Sequence, residues 1–203
     1  GSEGRIELSG SGFGVGATAG IQATFLDNLK VGFSFRSAVG IDFTGNADFQ
    51  IPEGVPASIK ANFPDGPVNA EVTLPHSFAL GIGWVDGPLV IEAGANLTLW
   101  ESYDKLQINF ESGLPSPSSV LPRNWEASPT FRLGGEYALD LGGMKLPLRA
   151  GVYYDLTPAP DSTVDFTLPD NDRFAFSVGA GLNFAPFNVD LGYSGILVMT
   201  REN

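Results

Sequence analysis

Eight charged residues stand singly at alternate positions in the most apolar stretches of this sequence: Arg36, Glu92, Arg132, Glu136, Arg149, Asp155, Arg173 and Asp190. Isolated charges of both signs in such surroundings have two uses. They can pair across neighbouring strands and hold a polar interior together. Alternatively, one of Arg36, Arg132, Arg149 and Arg173 can bind a carboxylate head group, since a planar guanidinium grips it bidentately. A charge in so apolar a setting is costly unless paired or wet, so either use places these side chains on one common face. Both readings stand on the sequence. Residues 132 and 136 are an even step apart, and a Gly142-Gly143 turn would bring Arg149 back alongside them. Arg132, Glu136 and Arg149 are therefore expected within pairing distance.

Other chemistries have less support. The chain has one histidine, His76. Ser77 beside it cannot form a serine–histidine dyad, because strand neighbours point to opposite faces. His76 is expected near a rim as an amphipathic residue. Cysteine is absent, which removes thiolate metal sites and disulfides. The run Pro169-Asp-Asn-Asp-Arg173 holds oxygen donors of the kind calcium takes, but it reads better as a loop-to-strand turn closed by Asx bonds. No catalytic residue, metal site or cofactor is expected, and the chain does not read as an enzyme. A net charge of −12 with no Lys/Arg cluster argues against nucleic acid as a partner.

The elements that position these residues are strands. The chain of 203 residues holds 26 Gly and 15 Pro, too much punctuation for a helical protein, while 43% apolar residues is too many for a disordered one. Period-2 alternation dominates. Phe13 to Phe25 sets Phe, Val, Ala and Ile against Gly, Thr and Gln, and the same pattern recurs at 29–36, 77–86, 89–100, 131–139, 146–155, 173–184 and 188–194. That makes about eight strands, several reaching the ~9–11 residues a membrane-spanning strand needs. Short turns fall at 26–28, 86–88, 140–144 and 185–187; long Pro-rich connections fall at 50–67, 112–123 and 157–171. Short turns at one end and long loops at the other predict an all-β, antiparallel, up-and-down transmembrane β-barrel, read as a single unit over 1–203. Phe33, Leu80, Ile82, Leu97, Leu133, Val152, Phe176 and Leu191 are expected to face lipid or detergent. Phe25, Trp84, Trp100, Tyr103, Trp125 and Phe184 gather at strand ends as an interfacial girdle does. A soluble β-sandwich also alternates, but its outer faces carry Lys and Glu rather than Gly, Ser and single charges.

Several segments resemble the FadL family of outer-membrane channels for long-chain fatty acids and other hydrophobic compounds. They are Val31-Gly-Phe-Ser-Phe-Arg-Ser37, Leu74-Pro-His-Ser-Phe-Ala-Leu-Gly81, Trp100 with Tyr103, Asn124-Trp125, Leu148-Arg-Ala-Gly-Val-Tyr-Tyr-Asp155, Pro158-Ala-Pro160 and Leu168-Pro-Asp-Asn-Asp-Arg-Phe174. The resemblance implies a bacterial outer-membrane location and a barrel of roughly fourteen strands plugged by an N-terminal hatch. It also implies passive passage of hydrophobic small molecules, a porin-like role without covalent chemistry. Nothing here matches the hatch, the first strands or a closing strand with a C-terminal Phe, so further barrel strands outside this chain are expected partners. The alternative function is structural, namely a small or engineered barrel with a filled lumen and no substrate.

Overall fold

A computed structural model describes residues 4–111, 118–165 and 168–200. Its strands are Arg5–Phe13 (β1), Thr18–Phe25 (β2), Leu29–Arg36 (β3), Val39–Gln50 (β4), Gly66–Leu74 (β5), Ser77–Asp86 (β6), Leu89–Leu99 (β7), Lys105–Phe110 (β8), Ser118–Pro122 (β9), Ala127–Asp140 (β10), Lys145–Asp155 (β11), Arg173–Phe184 (β12) and Phe187–Val198 (β13). A single helical turn, Ala57–Lys60 (α1), and a 3-10 turn, Trp100–Ser102, complete the described elements.

Every strand pair is antiparallel. Eight strands form one open sheet in the order β13-β12-β11-β10-β7-β6-β3-β2, and five form a second in the order β1-β4-β5-β8-β9. The two sheets are one set of long strands, bent at a common level. Thus β1 runs into β2 across 14–17, β3 into β4 across 37–38, and β5 into β6 across 75–76. The 3-10 turn links β7 to β8, and residues 123–126 link β9 to β10. The result is an eight-strand up-and-down meander, as the alternation predicted. Strands at 5–13, 39–50, 66–74, 105–110 and 118–122 extend it beyond that reading, and the run expected from Phe13 to Phe25 is broken at 14–17. In particular, β9 lies inside the connection expected at 112–123, of which 112–117 falls outside the described residues.

The bend is built from polar contacts. Ser37 N–H donates to the Ala17 carbonyl at 2.8 Å, and Ser37 Oγ accepts from Ala17 N–H at 2.9 Å. Ala38 N–H donates to His76 Nδ1 at 3.0 Å, while the His76 ring stacks on Phe35, centroids 5.7 Å apart. Leu99 N–H donates to the His76 carbonyl. Farther along, Trp100, Tyr103 and Trp125 meet edge to face, with both Trp125 contacts at 5.0 Å. At the opposite, tight-turn end, Gly142 and Gly143 adopt φ of 69° and 103°, which glycine takes without steric cost. Gly142 N–H is held there by the Asp140 carboxylate at 2.9 Å.

Burial does not follow the pattern of a soluble domain. The buried hydrophobic residues are Ala47, Ala159 and Ala175, all small. A water-soluble domain of this size would bury about 70% of the surface its unfolded chain exposes. Here Leu133 is 54% exposed and Leu191 80% exposed, and Phe33, Leu80, Ile82, Leu97, Val152 and Phe176 are exposed with them. Strand register puts these side chains on one face: Phe33 pairs with Leu80, and Leu133 with Val152, which pairs with Phe176. So continuous an apolar surface needs an apolar solvent. Among the described residues no helix is long and apolar enough to cross a membrane, so any crossing is by strands.

Candidate functional site

The other face of the eight-stranded sheet is the concave one, and glycine shapes it. Gly32, Gly81 and Gly94 are register partners across β3, β6 and β7; Gly134 pairs with Gly151 across β10 and β11. Without side chains there, the sheet encloses a trough of about 1040 Å³. Its polar lining includes Gln22, Lys30, Glu92, Asn96, Arg132 and Tyr153.

The four candidate arginines have different surroundings. Arg132 lines the trough. Its Nη2 lies 3.1 Å from the Asn96 side-chain oxygen when that amide is oriented so that its nitrogen donates to the Ala95 carbonyl. No carboxylate lies within ion-pair distance of Arg132 among the described residues. Arg149 is held by two carboxylates: Nε lies 2.6 Å from Glu136 Oε2 and Nη1 2.5 Å from Asp190 Oδ1. Arg173 pairs with Asp155 at 2.9 Å and with Asp170 at 3.6 Å, and Asp155 also accepts from the Thr130 hydroxyl. Arg36 ends β3 at the bend, exposed, and does not line the trough.

The expected triad is thus only partly assembled. Glu136 and Arg149 are direct register partners, as parity required. Arg132 is not with them. Four residues along a strand span about 13 Å, too far for one guanidinium to serve both ends, and Arg132 takes the amide of Asn96 on β7 instead. Asn96 was visible on the inward parity of its strand, but only the β10–β7 register reveals it as a partner. Glu92 shows a second effect of glycine. Its Cγ and Oε1 lie 3.7 and 3.8 Å from where a Cβ on Gly83 would stand, so the carboxylate leans over β6 toward Lys30, the register partner of Gly83. Two cations, Lys30 and Arg132, therefore share the trough with one carboxylate.

The run 169–173 acts as a latch. Asp172 accepts from Tyr154 Oη at 3.0 Å and from Thr157 N–H at 2.9 Å; Asp170 accepts from the Thr157 hydroxyl at 2.6 Å. These carboxylates tie the connection between β11 and β12 to the strand ends, in keeping with a loop-to-strand turn. Residues 166–167 of that connection are outside the described residues. The connection also contributes Asp165, 2.9 Å from Nη1 of Arg123, which is only 2% exposed. Arg123 carried no signal in the sequence, because its partner lies 42 residues away. His76 and Ser77 sit at the bend, not in the trough.

Comparison with known proteins bears on this arrangement. The family described as "Outer membrane protein transport protein (OMPP1/FadL/TodX)" matches residues 2–202. The chain is 31% identical over 184 residues to outer membrane protein P1 of Haemophilus influenzae, covering 90% of this chain and 38% of that protein. It is 26% identical over 196 residues to the long-chain fatty acid transport protein of Escherichia coli, covering 92% of this chain and 42% of that one. The crystal structure of a Pseudomonas aeruginosa FadL homologue superposes with a TM-score of 0.77 at 24% identity, covering 91% of this chain and 44% of that chain. The chain thus spans about two fifths of the length of these relatives.

Proposed function

Because the chain belongs to the OMPP1/FadL/TodX family of outer membrane transport proteins, we propose that it forms part of the wall of a passive channel for hydrophobic small molecules, long-chain fatty acids among them. The protein is an outer-membrane β-barrel protein, its apolar face turned to lipid. The observation that carries the functional reading is the glycine-lined trough of about 1040 Å³ on the opposite face. An alkyl chain can lie along backbone there while its head meets Arg132. Arg132 suits an acidic head group best of the four arginines: among the described residues its partner is a neutral amide, whereas Arg149 and Arg173 are already bound to carboxylates. The open edges β2 and β13 are where further strands of a longer protein would complete the barrel. The connections from β4 to β5 and from β11 to β12 would form the outward capture surface.

The test is fatty-acid affinity of the folded protein for Arg36→Ala, Arg132→Ala, Arg149→Ala and Arg173→Ala. Loss of a charge-assisted contact should weaken binding by Arg132→Ala about tenfold to a hundredfold, with smaller effects from the other three. Equal affinity in all four would sink the head-group assignment. A second reading, a barrel wall braced by its own charges and carrying no substrate, is favoured by the Glu136–Arg149–Asp190 cluster. Planar-bilayer recording separates the two, since a filled lumen gives no conductance steps.

A further inference from the structure

Beyond the bend, a second pocket of about 350 Å³ lies between β5 and the start of β8. Its lining is polar throughout.

Gln107 and Asn109 in this lining begin a directed chain of amides. Gln107 Nε2 donates to Asn109 Oδ1 at 2.9 Å, Asn109 Nδ2 donates to Asn69 Oδ1 at 2.9 Å, and Asn69 Nδ2 donates to Glu111 Oε1 at 2.8 Å. The chain ends on a carboxylate, which at neutral pH can only accept, and this fixes the direction of every amide in it. Each amide has a second N–H, and among the described residues none donates to the Gln107 side-chain oxygen at the head of the chain, opposite Glu71, its register partner. Lys105 and Thr73 stand beside them, and Tyr103 closes the end. The Tyr103 ring is held in place by Trp100 and Trp125, at 6.5 and 5.0 Å.

We propose that this pocket binds the ring of a neutral sugar, either free or as the head group of an amphiphile. Sugar hydroxyls both donate and accept, so they match oriented amides, a carboxylate and an ammonium without leaving any of these groups unpaired. A fixed aromatic ring supplies the flat apolar surface for the C–H face of a pyranose. The volume falls at the small end of ligand pockets, roughly 300–1,000 Å³. Rival chemistries fit worse. Apolar cargo would desolvate Glu71 and the amides with no compensating bond. An anion would meet Glu71 and Asp104 against a single Lys105. Among the described residues no group of three acidic or histidine side chains is placed to hold a metal ion.

The free-sugar arm stands apart from the channel reading. The amphiphile arm rests on it. The experiment follows tryptophan fluorescence of the whole chain, folded in a zwitterionic detergent, because Trp100 and Trp125 touch Tyr103. The probes are methyl glucoside, octyl glucoside, octanol, calcium chloride and butylammonium. Saturable responses to both glucosides, each weakened about tenfold or more by Glu71→Ala and by Gln107→Ala, support a free-sugar site. A response to octyl glucoside alone, with the same sensitivity, supports a head-group site. Heat-modified gel mobility checks that both variants fold, and their unchanged fatty-acid affinity keeps this result separate from the fate of the channel reading. Silence toward both glucosides overturns the proposal. So does octyl glucoside binding that survives both variants, or a response to calcium or butylammonium in place of sugar.

Discussion

Arg149 on β11 reaches across β12 to Asp190 on β13, its Nη1 2.5 Å from Asp190 Oδ1. The strand between them presents Gly179 and Gly181 on that face, and a Cβ on Gly181 would overlap the Asp190 carboxylate and come within 2.9 Å of Pro147 Cγ. An ion pair that skips a strand therefore depends on the absence of a side chain beneath it. Gly181→Leu should separate the pair and lower the temperature at which the folded band disappears on a heat-modifiability gel. The same substitution combined with Arg149→Ala should fall short of additive, because both changes remove the Arg149–Asp190 pair and only the crowding of Pro147 is left to add. Full additivity would show that Gly181 serves only the sheet.

The apolar face makes a separate demand. Leu133 stands mid-strand on β10, 54% exposed, between Ala93 and Val152 in register. Leu133→Arg should cost ~2–4 kcal/mol of folding stability at the membrane midplane, measured by equilibrium refolding into vesicles. Ser177→Arg, on the trough face, should cost much less. Similar losses for both would mean that the two faces are not lipid and lumen.

Much of this was legible because alternation has a period of two and a register slip exchanges the faces. The runs 131–139 and 146–155 were enough to put Leu133 outward and to oppose Glu136 with Arg149. Parity assigns a face but not a position along the strand, so Arg132 looked close to Glu136 when about 13 Å of strand separates them. β9 has no local signature, because Ser118–Pro122 is five residues long and ends in proline; what defines it is the pairing of Leu121 with Leu106 on β8. The amide chain from Gln107 to Glu111 joins two strands some forty residues apart, and no local pattern announces it. Nor could composition show that β12 is bare where Arg149 crosses it.

The connection from β11 to β12 should open when its latch is cut. Asp172 alone receives Tyr154 Oη and Thr157 N–H, and its own carbonyl accepts from Met199 N–H at 2.8 Å. Asp172→Ala removes the two carboxylate bonds and keeps the last. Proteolytic cutting within 156–172 should accelerate by roughly tenfold, the scale of one charged hydrogen bond, while the strands stay protected. An unchanged cutting rate would mean that the contacts left in place, Asp170 with Thr157 and Arg123 with Asp165 among them, hold the connection down.

The bend gives the last prediction, and it separates two roles of one residue. His76 accepts the Ala38 N–H through Nδ1 at 3.0 Å and stacks on Phe35 at 5.7 Å. His76→Phe keeps an aromatic ring over Phe35 and removes the acceptor. His76→Asn offers a shorter acceptor and removes the ring. The bond lies at an exposed site, so its loss should cost only about 0.5 kcal/mol, the low end for a hydrogen bond. Amide exchange at Ala38 reads it directly. If the nitrogen fixes the bend, exchange at Ala38 accelerates in His76→Phe and stays slow in His76→Asn, and Leu99, bonded to the His76 carbonyl, changes in neither. If the ring fixes it, the order reverses and Leu99 loosens with Ala38, because losing the stack frees both strands at once.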